Sequence, residues 1–436
     1  MSFAPLSKGG RIILKVLCAG LIMVIGYSQA PAATPNESDY YNMLKRRFDT
    51  SPDLYAKALI GEFAIFKELY PQSAKADSVE YFLAVLYEQE KMEAAALANF
   101  LKIVYVYPAS PFIPECLKHL KSLAESRKKG ITALFADNTM NLLKDHVLKI
   151  VGDELTFAGG MRGYLDFLQL ISDAKVKDLA GYMIEECQHY LYRLGYDLAS
   201  DRVMVIRGNM FSLLEDWHRA ILSYRTAEIL NPYGDAVGEA ILNVGEIYLR
   251  HLGNYRMARN SYLEVIEKFP ADIVAARSSV FLAEVDQAEK NYGQAVVQLE
   301  DTAKRFPFPD IRMECYARIG WIYLENMNNP EKSIAFYERL VEEFPKEGRS
   351  AEALLKIGEI HEKKTKNYDK AVSAYRRLAE LFPDNPLTPQ YLLQAADLAR
   401  DRLKNQTLAN SLYEQLVKSY PESEPGKKAA KILEKK

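Results

Sequence analysis

The sequence has few of the residues that build disulfide frameworks, metal centres or catalytic clusters. Four cysteines occur in 436 residues, and one of them, Cys18, falls inside an apolar N-terminal run. The other three, Cys116, Cys187 and Cys315, are odd in number and stand at wide, unpatterned spacings, which describes neither a disulfide framework nor a zinc cluster. Buried thiols are expected, and a Cys116 to Cys187 bridge in an oxidising compartment stays open. The six histidines, His119, His146, His189, His218, His251 and His361, include no i, i+4 pair, and His361-Glu362 is not completed to a zinc-protease helix. Gly159-Gly160-Met161-Arg162-Gly163 lacks the Lys-Ser/Thr that a phosphate-cradling loop needs and reads as a turn. No GxSxG elbow is present. The chain is therefore expected to be no enzyme, with no catalytic residue, cofactor or metal.

Long apolar runs are also missing. Outside the N-terminus none approaches the roughly 20 residues of a membrane-spanning helix. At the N-terminus, Lys8, Arg11 and Lys15 precede an apolar run from Val16 to Tyr27, and Ala30-Pro31-Ala32 follows with small residues. That is the layout of a secretory signal peptide over 1–32, cleaved near Ala32, the alternative being a retained inner-membrane anchor. The run is short for a span. Without those residues the formal charge moves from −2 to −5, because three cations and no acid are lost. A mildly acidic chain gives no reason to expect nucleic acid. Membrane contact is expected only through partners or an uncleaved signal.

What the sequence has is a period. Pro232, Pro270, Pro307, Pro345, Pro383 and Pro421 each close a helical pattern, mostly behind an aromatic residue, at intervals of 38, 37, 38, 38 and 38. The interval lies in the range of helical solenoids. Each unit carries a small residue in its first helix (Gly245, Ala283, Gly320, Gly358, Ala396) and another in its second (Ala258, Ala295, Ser333, Ala371, Ala409). Close approach of the helices where these small residues meet is expected. Tyr262, Leu299, Tyr337, Tyr375 and Tyr413 follow four residues later on the same buried face. Asn254-Tyr255, Asn291-Tyr292, Asn367-Tyr368 and Asn329-Pro330 mark the turns between helices. Each closing proline ends its helix and should push the preceding residue toward extended backbone.

These landmarks resemble the tetratricopeptide repeat. The run Gly208 to Pro232, with Phe211, Ala220, Tyr224 and Ala227, matches that family's spacing most fully. Several later units place one extra residue between the helices, as from Gly358 to Ala371. A second, weaker block, with Pro71 and Pro108 and with Ala84, Tyr87, Ala96 and Phe100, looks like the repeats of bacterial envelope proteins. Examples are the outer-membrane assembly lipoprotein of the barrel-insertion machinery and the coordinator associated with the Tol-Pal system. No lipid-accepting cysteine directly follows the signal here, so this resemblance implies compartment and architecture only.

The expected fold is all-α: a helical-hairpin solenoid forming a right-handed superhelix. Its parts are a flexible leader over 33–50, a degenerate helical region over 51–196, six repeats over 197–425 and a C-terminal capping helix over 426–436. Within the degenerate region, helices are expected over Ala133 to Val151, Tyr164 to Ile171 and Leu179 to Leu194, with a loop at Phe157 to Gly163.

In the family the first helices line a concave side, and the residue after the small Gly or Ala points into it. That position reads Asn209, Glu246, Glu284, Trp321, Glu359 and Asp397, and seven residues earlier stand Glu239 and Glu314 among others. The expectation is an acidic groove with one aromatic anchor. Its partner would be one or more envelope proteins of the periplasm, bound through a basic or extended segment. The same acids also suit a merely solvated helix face. Two other readings stay open, a structural subunit that assembles with copies of itself and a glycan-binding envelope component.

Overall fold

The computed structural model describes residues 36–50, 52–125, 149, 159–194 and 199–434. The signal-like segment, Cys18 and all but Lys149 of the helix expected over Ala133 to Val151 lie outside the described residues. Among those described there are twenty α-helices and no strand. No described helix is long and apolar enough to cross a membrane. Contacts divide the chain into a unit ending at Arg127 and a second from Lys128.

The first unit holds α1 (Glu37–Thr50), α2 (Pro52–Leu69), α3 (Ala76–Gln89), α4 (Glu93–Val106) and α5 (Ile113–Glu125). The flexible leader expected over 33–50 is thus helical from Glu37 on. Asn36, read as a leader residue, instead accepts the Ser38 N–H at 2.9 Å through its side chain. Tyr40, Tyr41 and Leu44 form an apolar stripe that packs with Leu59, Phe63 and Phe66 of α2 and Phe82 of α3. Beside this core the buried Lys102 ammonium lies 2.6 Å from Glu80, which Lys67 also reaches at 2.9 Å. A lone buried charge would be costly, so the lysines and the carboxylate are held together.

From Gly160 on, the described part of the second unit holds α6 (Gly160–Ala174) and α7 (Ala180–Leu194). Of the loop expected over 157–163, residues 157 and 158 lie outside the described residues, Gly159 and Gly160 take positive φ, and Gly160 to Gly163 are already helical. Six hairpins follow: α8 (Ser200–Leu213) with α9 (Trp217–Leu230), α10 (Val237–Glu246) with α11 (Tyr255–Lys268), and α12 (Ile273–Ala288) with α13 (Tyr292–Arg305). Next come α14 (Pro309–Trp321) with α15 (Pro330–Glu343), α16 (Gly348–Lys363) with α17 (Tyr368–Leu381), and α18 (Thr388–Asp401) with α19 (Gln406–Ser419). The last helix, α20 (Glu424–Glu434), packs Ala429 on the final hairpin and exposes Lys427, Lys428 and Lys431. Within each unit each described helix packs on its neighbours in the chain, and the first helices of successive hairpins touch from α8 through α14. This is an all-α solenoid.

The close approach inside each hairpin differs from the expected meeting of two small residues. A Cβ on Gly208 or Gly245 would lie 2.5 Å from the ring of Tyr224 or Tyr262, and one on Gly320 would lie 2.8 Å from Tyr337. In these hairpins glycine makes room for the tyrosine ring of the second helix, whereas the last hairpin buries Ala396 and Tyr413 in one cluster. Where the first helix has Ala283, the second has the narrower Leu299, and both are buried in one cluster.

The extra residue between helices is absorbed at the end of the first helix. In the hairpin α8–α9 a single left-handed residue, Glu215, closes the helix, and Asp216 N–H donates to Phe211 C=O at 2.9 Å. In the longer hairpins a π-type bond precedes it: Leu252 to Ile247 at 3.1 Å, Met327 to Ile322 at 3.0 Å, Thr365 to Ile360 at 3.1 Å and Leu403 to Leu398 at 3.1 Å. All but one of the turn asparagines cap the second helices, the exception being Asn291. Asn254, Asn329, Asn367 and Asn405 accept backbone N–H groups three residues on at 3.1, 3.0, 3.2 and 3.0 Å. Of the residues before the closing prolines, Phe306 becomes extended as expected, with ψ of 129°, whereas Phe269, Phe344 and Phe382 leave helical geometry only part of the way, with ψ of 51°, 55° and 61°.

Cys116, Cys187 and Cys315 are buried free thiols. Burial pushes the Cys116 and Cys315 thiols up to about 12 and Cys187 higher, which makes them inert packing groups.

Candidate functional site

The candidate site lies on the face carried by the first helices of the third and fourth hairpins. Helix α12 contributes Glu284, Gln287 and Ala288, and α14 contributes Arg318 and Trp321. Tyr292 comes from the start of α13 and Asn326 from the π-helical turn Ile322–Asn326. Together they enclose a shallow cavity of about 480 Å³.

Helical periodicity explains most of this convergence. Glu284, Gln287 and Ala288 stand at i, i+3 and i+4 on α12, and Arg318 and Trp321 at i and i+3 on α14, so each set shares one face. The π-turn then adds a residue before Asn326. Gln287 Nε2 donates to Asn326 Oδ1 at 3.2 Å across the two hairpins.

Trp321 is 45% exposed, whereas most aromatic side chains of the array are buried or half-buried. An apolar ring left open to water beside a cavity is a common anchor of binding interfaces. The carboxamide pair supplies polarity without charge. One bond between two carboxamides leaves each of them with unused donor and acceptor capacity, which suits a peptide group.

The acids read as a groove are largely engaged within the chain. Glu246 pairs with Arg250 at 3.1 Å, and Arg250 also reaches Glu284 at 3.3 Å. Glu284 pairs with Arg318 at 3.2 Å, and Arg318 with Glu314 at 2.9 Å. These five side chains form one ion-pair chain across three hairpins. Glu239 pairs with Arg277 at 2.7 Å. Glu359 accepts the Tyr391 hydroxyl at 3.0 Å and lies 3.4 Å from Lys356. Asp397 accepts the Tyr413 hydroxyl at 2.6 Å and pairs with Arg400 at 3.1 Å. Asn209 accepts the Tyr224 hydroxyl at 2.8 Å.

The row is thus a charge-compensated seam, not an open acidic stripe. Of the eight residues expected in the groove, the structure brings Glu284 and Trp321 into the cavity, with Glu314 behind Arg318. Asn209, Glu239, Glu246, Glu359 and Asp397 hold neighbouring helices along the same face. Next to the seam, burial pushes the Tyr262 hydroxyl well above its ordinary range, with Glu246 and Glu284 nearby adding to the shift.

Gln287, Tyr292, Arg318 and Asn326 were not read from the sequence. Gln287 and Arg318 carried a signal, since each stands one helical turn from a residue that was. Asn326 carried none, because its position depends on the π-turn.

No curated protein matches the chain. The model of the tetratricopeptide repeat matches residues 239–272, and the model of the soluble NSF attachment protein family matches residues 322–432. Among solved structures the chain is similar to PilF of Pseudomonas aeruginosa, at 18% identity over 54% of this chain and 97% of that one, with a TM-score of 0.35. It is similar to the C-terminal part of a TPR repeat-containing protein from Cytophaga hutchinsonii, at 14% identity over 61% and 98% of the two chains, with a TM-score of 0.42. Yeast Tom70 aligns at 15% identity over 90% of this chain and 88% of its own, with a TM-score of 0.39.

Proposed function

We propose that this chain, a tetratricopeptide-repeat protein, is a non-catalytic scaffold of the cell envelope that holds an extended segment of a partner protein across the cavity between α12 and α14. The observation that carries the reading is the half-exposed Trp321 beside the Gln287–Asn326 pair. An extended peptide would lay an apolar side chain on the indole and engage the carboxamides through its backbone. Rigid hairpins keep this surface in place, which limits the ordering cost of binding.

The ion-pair chain shapes the partner. A strongly basic segment would have to compete with Arg250 and Arg318 for the same carboxylates. The segment is therefore proposed to be extended and close to neutral where it crosses Trp321. Export is proposed from the Lys8 to Ala32 pattern, which supports a periplasmic site of action.

Placing a photo-crosslinking amino acid at Trp321 in intact cells tests the reading, with Leu222, exposed on α9, as the comparison position. Adducts to one envelope protein from position 321, through one short segment of it, are expected. Adducts only between copies of the chain would point instead to a self-assembling structural subunit.

A further inference from the structure

The first unit holds a cavity of its own, about 510 Å³, between the last turn of α1 and the first half of α2. Its lining includes Arg46, Arg47, Thr50, Tyr55, Leu59 and Glu62. Leu59 is buried and forms an apolar floor, while the Tyr55 side chain is half exposed at the wall. The carboxylate of Glu62 is engaged by the Tyr40 hydroxyl at 2.7 Å.

The two arginines stand apart from most of their kind in this protein. Arg225, Arg250, Arg259, Arg277, Arg318 and Arg400 all lie within ion-pair distance of carboxylates. Arg46 and Arg47 line the same cavity, and neither has a carboxylate within that distance among the described residues. Two adjacent guanidinium forks facing one opening are matched by a carboxylate, which can accept two parallel N–H bonds from each. The apolar floor and the tyrosine ring favour a ligand that carries hydrocarbon beside that charge. An anionic bilayer would need a broad basic face, whereas here the cavity is narrow and Glu62 lines it beside the arginines.

We infer that this cavity is a second ligand site, one that takes an acidic peptide segment of a partner protein. The carboxylate sits between Arg46 and Arg47, and an aliphatic or aromatic side chain next to it packs on Tyr55 and Leu59. The site is independent of the cavity at Trp321.

Selection from a displayed random heptapeptide library on the full chain tests this, in parallel with Arg46→Gln/Arg47→Gln and Arg46→Lys/Arg47→Lys double variants. Both arginines are exposed, and circular dichroism checks that helicity is retained. A set of Asp- or Glu-containing peptides with an adjacent apolar residue is expected on the wild type. Their affinity should fall about tenfold or more in the Gln variant and recover in part in the Lys variant. Identical peptide sets for wild type and Gln variant would overturn the assignment. So would a Gln variant whose only loss is co-sedimentation with phosphatidylglycerol vesicles, which would make the arginines a membrane contact.

Discussion

A methyl group placed on Gly245 would lie 2.5 Å from Cε1 of Tyr262, so the absence of a side chain on one helix is what seats the ring of the other. The ring is fully buried. Gly245→Ala should lower stability by about 1–3 kcal/mol in urea unfolding, through overpacking. Gly293→Ala meets open space and should be neutral or slightly stabilising. Adding Tyr262→Leu to Gly245→Ala reproduces the Ala283 and Leu299 pairing of the next repeat and should recover part of the loss. A fully additive double-mutant cycle would show that the two positions do not share one space.

Capping by the turn asparagines gives a second expectation. The Asn367 side chain accepts a backbone N–H, and the Asn291 side chain makes no such bond. Asn367→Ala should cost about 1 kcal/mol and Asn291→Ala much less. Equal losses in thermal unfolding would remove the cap from the account.

Lys366 holds a left-handed φ of 56° in the turn before α17. Glycine adopts that region without a Cβ clash, so Lys366→Gly should stabilise the protein by a few tenths to about 1 kcal/mol despite the added freedom of the unfolded chain. A clear loss of stability would mean that the lysine side chain contributes more than its backbone strain costs.

The tyrosine seam predicts an alkaline limit. Burial pushes Tyr224 and Tyr337 up to about 12 and pushes Tyr262 and Tyr375 higher still. An unfolded tyrosine titrates near about 10. Their contribution is therefore complete below about pH 10 and is lost as pH rises through the folded values, since the unfolded chain then releases protons the folded one keeps. Urea midpoints should fall between about pH 10 and 12, with tyrosinate absorbance from the seam appearing together with loss of helicity. Seam tyrosines that ionise while helicity persists would contradict the burial argument.

The hairpins were legible because proline and asparagine act locally: one ends a helix and the other caps the next, and both recur at a countable interval. Contacts were less legible. The recurrence of Gly358 and Tyr375 is visible in one dimension, but which residue each one faces is not, so the glycines were matched to the wrong small residues. Pairing of Glu246 with Arg250 and of Glu314 with Arg318 follows from i, i+4 spacing. The 34-residue reach of Glu284 to Arg250 and to Arg318 depends on how hairpins stack. At the N-terminus, the stripe of Tyr40, Tyr41 and Leu44 was the signal of a helix within the expected leader, and Asn36 caps its start.

The account turns on Trp321 as a binding anchor and not a packing residue, and the most direct measurement is the affinity of the crosslinked partner segment for the wild type and for Trp321→Ala. A half-exposed side chain contributes little to the core, so helicity and melting temperature should stay unchanged. Affinity should fall roughly tenfold or more, with little dependence on salt because the neighbouring charges are already paired. Unchanged affinity, or a loss that tracks unfolding, would contradict the assignment.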